Sequence, residues 1–332
     1  MLHVNQDALL IRLLIVKASQ KGVSVESPGM GNQPPDLAKR IAAKIRRLVE
    51  GPPVREKTVV RVLDPSQRKR CPPCFLIGVY RSGTTLLRYV LDSHSRIAVP
   101  PETNFLNSLA EMWYSEWMRK GLSGVGVDEE GLLERLREFA WTIYDDYTLA
   151  KGKARWVDKT PSYVDILDFI DRLFGPECRY IMLYRHGLDV AQSMATVYSN
   201  DGLAGPAKRY ADAFARSPRV AFVRYWADQC RKMMDFESRH PERCYRIHYE
   251  RYASDPHKEL PPVFQFLGEA WEPQVLHYHK ASHDFGLQDH KIETERGFKP
   301  KTGTYRQWHA QDMAEATEIA SPVLEQLGYE VP

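Results

Sequence analysis

Residues 78–85 read Gly-Val-Tyr-Arg-Ser-Gly-Thr-Thr, directly after the apolar run Cys74-Phe-Leu-Ile and directly before Leu86-Leu-Arg-Tyr-Val-Leu. Gly83 lets the backbone turn and approach an anion, and the free N–H groups and dipole of a helix start favour negative charge there. The Thr84 and Thr85 hydroxyls add donors, and Arg81 supplies a permanent, forked cation. Together they make a phosphate cradle. The segment departs from the Walker pattern G-x4-G-K-[ST], because Thr84 stands at the lysine position. A nucleoside triphosphatase would also hold Mg²⁺ through an acidic partner, yet the apolar run 178–184 ends in Arg185. The expected ligand is a phosphate held without a metal.

A second grip follows. In Arg185-His-Gly-Leu-Asp-Val-Ala-Gln-Ser193, an arginine at a strand end and a serine eight residues on, inside the next helix, could clamp a second phosphate through guanidinium and hydroxyl. Tyr80-Arg-Ser-Gly-Thr-Thr-Leu-Leu resembles the 5′-phosphosulfate loop, P-[KR]-S-G-T-[ST], of sulfotransferases that use 3′-phosphoadenylyl sulfate (PAPS), with Tyr80 at the proline position. Arg185 and Ser193 resemble that family's 3′-phosphate motif. The resemblance implies that Arg81, Ser82, Gly83, Thr84 and Thr85 bind the 5′-phosphosulfate and that Arg185 and Ser193 bind the 3′-phosphate. The product would be adenosine 3′,5′-bisphosphate (PAP), with no metal required. A looser match, Lys301-Thr-Gly-Thr-Tyr-Arg-Gln-Trp308, resembles the family's late loop R-K-G-x-x-G-D-W and implies donor contacts from Lys301 and the Gly303 backbone. Tyr249 in Ile247-His-Tyr-Glu-Arg-Tyr252 falls where the family places a tyrosine near adenine; it is a stacking candidate or plain core. The resemblance spans residues 74–310.

Sulfuryl transfer needs a base for the acceptor proton and charge stabilisation at the transferring group. Many cytosolic family members carry K-T-H on a middle strand, but here Asp158-Lys159-Thr160-Pro161 keeps the lysine and puts proline at the histidine position. Pro100-Pro-Glu-Thr103, after the short strand 97–99 and at a helix start, resembles the P-P-E-T segment of protein-tyrosine sulfotransferases and related bacterial enzymes, whose glutamate is the proposed base. Glu102 is therefore expected as general base, with burial or apolar neighbours raising its pKa; helix capping is the alternative. Asp158 is expected to pair with Lys159, and His94 to lie at the exit of the first helix. Arg81 and Lys159 would neutralise charge on the leaving oxygen and the sulfuryl group.

The elements that must position these residues alternate. Strands are expected at 74–80, 97–99, 154–157, 178–184 and 243–249, with helical stretches at 102–118, 128–149, 163–173, 188–199, 208–238 and 310–327. That order predicts an α/β, P-loop-like domain with a central parallel sheet and helices on both faces, over residues 71–332. Residues 1–70, split by Ser-Pro-Gly-Met-Gly-Asn-Gln-Pro-Pro at 27–35, read as a partly helical N-terminal extension. Its apolar stretch at 9–16 is too short to span a membrane and carries Arg12. The chain has 332 residues, 46 Lys plus Arg against 43 Asp plus Glu, and a net charge of +3, too small for a chain bound mainly to nucleic acid. Five cysteines, an odd number, fit a reducing, cytoplasmic setting, and Cys71-Pro-Pro-Cys74 lacks the second ligand pair a zinc site needs.

Trp113 and Trp117 could wall an aromatic acceptor pocket, though such a pair is more often core. Arg209, Arg216, Arg219 and Arg224 read as a solvated helix face, and His277, His279, His283 and His290 as a loop near the acceptor entrance. The expected partner is a hydroxyl-bearing acceptor, a small molecule or a tyrosine peptide, and a second copy of the chain is also a candidate. The competing readings are a P-loop kinase, which the missing Walker lysine opposes, and a PAP- or PAPS-binding protein without turnover, which Glu102 and Lys159 oppose.

Overall fold

The computed structural model describes residues 70–198, 210–284, 286 and 296–332. The extension expected over 1–70 lies outside the described residues except for Arg70. Three parallel strands, β1 (Cys74–Gly78), β4 (Arg179–Tyr184) and β5 (Cys244–His248), form one sheet in the order β1-β4-β5. Two shorter strands, β2 (Ile97–Ala98) and β3 (Arg155–Trp156), pair in parallel separately. They join the main sheet through a bridge between Phe75 and Asp158, with Leu76 N–H donating to Asp158 O at 2.8 Å and Asp158 N–H donating to Cys74 O at 3.0 Å.

The apolar run of β1 shows why the sheet is covered on both faces. Alternate residues of a strand point to opposite sides. Phe75 and Ile77, with Tyr180, Met182 and Tyr184 of β4, enter one buried cluster. It is packed by α4 (Glu129–Ala150), α5 (Leu167–Phe174), α6 (Gly187–Tyr198), α8 (Pro218–Arg239) and α12 (Ala310–Gln326). Cys74 and Leu76, with Ile181, Leu183 and Ile247, enter another, packed by α1 (Thr84–Asp92), α9 (Tyr249–Ser254) and α11 (Pro261–Leu267).

The helix expected over 102–118 is three pieces: an irregular segment to Asn104, α2 (Phe105–Tyr114) and α3 (Glu116–Ser123). Ser115 leaves helical geometry and caps α3 by accepting from Met118 N–H. A Ser217-Pro218 cap likewise divides the expected 208–238 helix into α7 (Ala211–Arg216) and α8, while a four-residue α10 (Pro256–Glu259) precedes α11. The Trp113/Trp117 pair is split as a result. Trp113 is buried beneath the Arg172 guanidinium, and Trp117 is 87% exposed. The arginines expected on a solvated face instead link α8 to α12 through Arg219–Asp312 and Arg224–Glu315 ion pairs at 3.4 and 3.1 Å. Arg209 and His290 lie outside the described residues. His283 is a core residue, held by Asp92 at 2.6 Å and stacked on Tyr89 at 4.2 Å. All five cysteines are free; burial pushes the Cys74 thiol up to about 12, so it stays protonated near neutrality.

Candidate active site

The cradle forms where β1 ends and α1 begins. Ser82 N–H donates to Val79 O at 3.1 Å, Arg81 takes a φ of 68°, and Gly83 at φ 90° is the N-cap of α1. Gly83 has no side chain to cap the first N–H groups, which stay open to an external acceptor. A Cβ at Gly83 would lie 2.4 Å from the Tyr249 ring, so position 83 is closed to any larger residue. Thr84 is buried, and Thr85 is partly exposed.

The two expected grips are in contact. Arg185, at the end of β4, donates from Nη1 to Arg81 O at 2.8 Å and from Nη2 to Lys301 O at 2.6 Å. Arg81 Nε donates to Ser193 Oγ at 3.2 Å. The Tyr249 ring lies under the Arg185 guanidinium at 4.4 Å, and its hydroxyl accepts from Lys301 N–H at 3.2 Å. Residues from four separate segments thus meet at the strand ends. Tyr249 is only 5% exposed, so it chiefly supports the two grips and leaves an adenine little face to stack on. The expected donor contact through the Gly303 backbone also needs correction. Gly303 N–H donates to Asp189 Oδ2 at 3.0 Å, while the Thr304 N–H and hydroxyl both donate to Asp189 Oδ1 at 2.7 Å. Asp189 pins the late loop onto α6 and consumes that N–H.

Two atoms show what this cluster lacks. Ser82 Oγ and Arg185 Nε are buried and have no hydrogen-bond partner among the described residues. Buried polar groups in folded proteins are almost always paired. A serine oxygen in one loop and a guanidinium nitrogen in the other, both unsatisfied, fit a ligand carrying an anionic group toward each.

Beside the cradle, Glu102 and Lys159 form an ion pair. Lys159 is fully buried and the Glu102 side chain is 13% exposed. Glu102 is largely buried, as one of the two expected settings has it, but its carboxylate faces an ammonium. It does not cap a helix, since the N-cap of α2 is Asn104. Burial pulls the Lys159 pKa down, and the Glu102 charge opposes that fall. The expected Asp158–Lys159 pair is not formed. Asp158 is buried and accepts from Thr103 Oγ1 at 2.9 Å, Thr160 Oγ1 at 2.8 Å and the Tyr144 hydroxyl at 3.1 Å. It therefore joins β1, the Glu102-Thr103 segment and the Lys159-Thr160 segment. Arg88, fully buried in α1, holds the same segment from the other side by donating to Val99 O and Pro100 O. The sequence reading missed both anchors. An arginine at a core-facing position of Leu-Leu-Arg-Tyr-Val-Leu was the available signal.

Burial pushes the Asp158 carboxyl up to about 6, against the pull of its three hydroxyl donors. A carboxyl raised in the folded state binds more protons folded than unfolded between about pH 4 and 6, so its contribution to stability falls as pH rises through that window. Asp158→Asn is expected to remove this component, up to about 1.4 kcal/mol per pH unit. Chemical denaturation at a series of pH values measures it, and an unchanged slope would refute it. Asp92 acts in a lower window. Burial would raise it, but the His283 hydrogen bond and the Lys153 and Arg88 charges prevail and hold it at about 2.

Residues 72–273 match the profile of the Sulfotransferase family. The chain belongs to that family. Among curated relatives, this sulfotransferase is 27% identical to protein-tyrosine sulfotransferase 2 of Gallus gallus over 273 residues, covering 79% of this chain and 70% of the relative. It is 30% identical to nodulation protein NoeE of Sinorhizobium fredii over 214 residues, covering 59% of this chain and 49% of NoeE. Among solved structures, the sulfotransferase domain from the curacin biosynthetic pathway superposes with a TM-score of 0.58 at 21% identity, over 80% of this chain and 100% of that domain. This likeness shows the fold, a parallel sheet flanked by helices. No helix among the described residues is long and apolar enough to cross a membrane.

Proposed function

We propose that this sulfotransferase takes its sulfuryl group from PAPS and passes it to a hydroxyl acceptor, with Glu102 as general base. The observation that carries this reading is the direct contact of Arg81 with Arg185 and Ser193, which makes two anion grips one cluster beside the Glu102–Lys159 pair. A donor with anionic groups at both ends of one adenosine would satisfy Ser82 Oγ through its 5′-phosphosulfate and Arg185 Nε through its 3′-phosphate. When bound, it supplies the sulfuryl group and a phosphate leaving group.

The chain's own residues do the rest. Arg81, with the N–H groups at the start of α1, balances charge at the leaving oxygen. Glu102 accepts the acceptor's hydroxyl proton at a carboxylate oxygen, and that proton removes the charge holding Lys159. The ammonium, dry and no longer paired, then turns to negative charge developing beside it. Asp158, through the Thr103 hydroxyl, and Arg88, through the Val99 and Pro100 carbonyls, hold the chain on either side of Glu102, so that base and cation keep their separation. The protein-tyrosine sulfotransferase relatives support a hydroxyl acceptor, and the five free thiols support a reducing, cytoplasmic setting. The test is transfer of radiolabelled sulfate from PAPS to a panel of phenols, tyrosine peptides and sugars. Label should move to at least one acceptor without added metal. Binding of PAP without any transfer would overturn the catalytic reading.

A further inference from the structure

We propose that the acceptor is a neutral polyol of the glycoside class, read by Asn104, Asn107 and Ser162; this rests on the PAPS-dependent reading of the same site. Beyond Glu102 the chain forms a short uncharged hydrogen-bonded relay. Asn107 Nδ2 donates to Ser162 Oγ at 2.8 Å, and Ser162 Oγ donates to Asn104 Oδ1 at 3.1 Å. Among the described residues, Asn104 Nδ2 and Asn107 Oδ1 take no hydrogen bond, so the relay presents a donor at one end and an acceptor at the other. All three residues are partly exposed.

The relay is fixed in place beside the base. Asn104 lies two residues after Glu102, and Ser162 three residues after Lys159. Asn104 has a φ of 55°, and among the described residues only Arg81 shares a positive φ without being glycine. Such a conformation is held at a cost by its surroundings, and here both examples flank the proposed reaction centre. Tyr80 lies near Ser162 and Glu102, and burial followed by the nearby Glu102 charge pushes its phenol up to about 12. It stays neutral, a partly buried ring that brings no charge to the neighbourhood of the amides.

Charge decides against an acidic peptide. Among the described residues, no lysine, arginine or histidine pairs with Tyr80, Asn104, Asn107 or Ser162. Lys159 is committed to Glu102, and Asp165, which adds negative charge near Tyr80, is itself paired with Lys232. A simple phenol fits poorly for another reason. Covering the two amides would strip their water and return no hydrogen bond, and a site built to bond a hydroxyl discriminates strongly against a ligand that lacks it. A polyol offers one hydroxyl to Glu102 and neighbouring hydroxyls to the amides. In the step itself, that hydroxyl's oxygen bonds to sulfur, the bond from sulfur to the 5′-phosphate oxygen breaks with its electron pair leaving on PAP, and the proton goes to Glu102.

The experiment compares the full chain, Asn107→Ala and Asn104→Gly, the last keeping the positive φ while removing the amide. Sulfate transfer from PAPS is measured to an N-acetylglucosamine oligosaccharide, to p-nitrophenol and to a tyrosine peptide with acidic flanks, with PAP affinity by calorimetry. The oligosaccharide should be the best acceptor. Each substitution should raise its KM by about tenfold, the loss of one hydrogen bond, with kcat and PAP affinity little changed. Better transfer to the phenol or the peptide, or an unchanged KM in both variants, overturns the polyol assignment while leaving the PAPS reading intact. No transfer from PAPS to any acceptor overturns both.

Discussion

Replacing Glu102 by glutamine is expected to lower kcat by about 10³-fold, within the span ascribed to a positioned general base. Affinity for PAP should be unchanged. The amide keeps the size of the carboxylate but cannot take the acceptor's proton, and the neighbouring Asp158 is a poor substitute because it is enclosed by three hydroxyl donors. The substitution also removes the counterion of a fully buried lysine. Leaving one member of a buried pair uncompensated costs about 3–5 kcal/mol. Thermal stability should therefore fall together with kcat, and the two effects need separating. The double variant Glu102→Gln/Lys159→Met, which removes the stranded cation, should recover much of the lost stability and none of the activity. Turnover near the parent level in the single variant would eliminate Glu102 as the base.

Arg185→Ala is expected to weaken PAP binding by about 100-fold, roughly 3 kcal/mol for a charge-assisted, largely buried contact, while affinity for AMP changes far less. The comparison of two nucleotides is needed because Arg185 has two roles in the structure. Its guanidinium donates to the Arg81 and Lys301 carbonyls and covers Tyr249, so truncation disturbs the cradle and the late loop as well. That disturbance weakens both nucleotides alike, whereas loss of a 3′-phosphate partner falls on PAP only. Titration calorimetry with each nucleotide reads the difference. Equal losses would remove Arg185 from the 3′-phosphate and leave it a structural clamp.

Chain-local signals carried most of the cradle, because each rests on neighbours in sequence. The apolar run of β1, the turn at Gly83 and the start of α1 are adjacent, and the alternation of strands with helices along the chain already implied helices on both faces of the sheet. Arg185 and Ser193 were likewise legible, as a strand end followed by a helical position. The lengths of β2 and β3 were not, since both are two-residue strands that exist only through their pairing with each other.

What the tertiary structure decided was the choice of partner. Nothing local distinguishes an Asp158–Lys159 pair from a Glu102–Lys159 pair; adjacent residues on an extended segment point to opposite sides, which sends Lys159 to Glu102 and Asp158 to the hydroxyls of Thr103, Thr160 and Tyr144. The same holds for the late loop, whose Gly303 N–H is taken by Asp189 from a distant helix, and for Arg88, whose place in an apolar helix makes sense only once the Val99 and Pro100 carbonyls arrive beside it. Residue types in order set which groups could react. Burial, which forbids an unpaired charge or an unmet hydrogen bond, set which of them face one another.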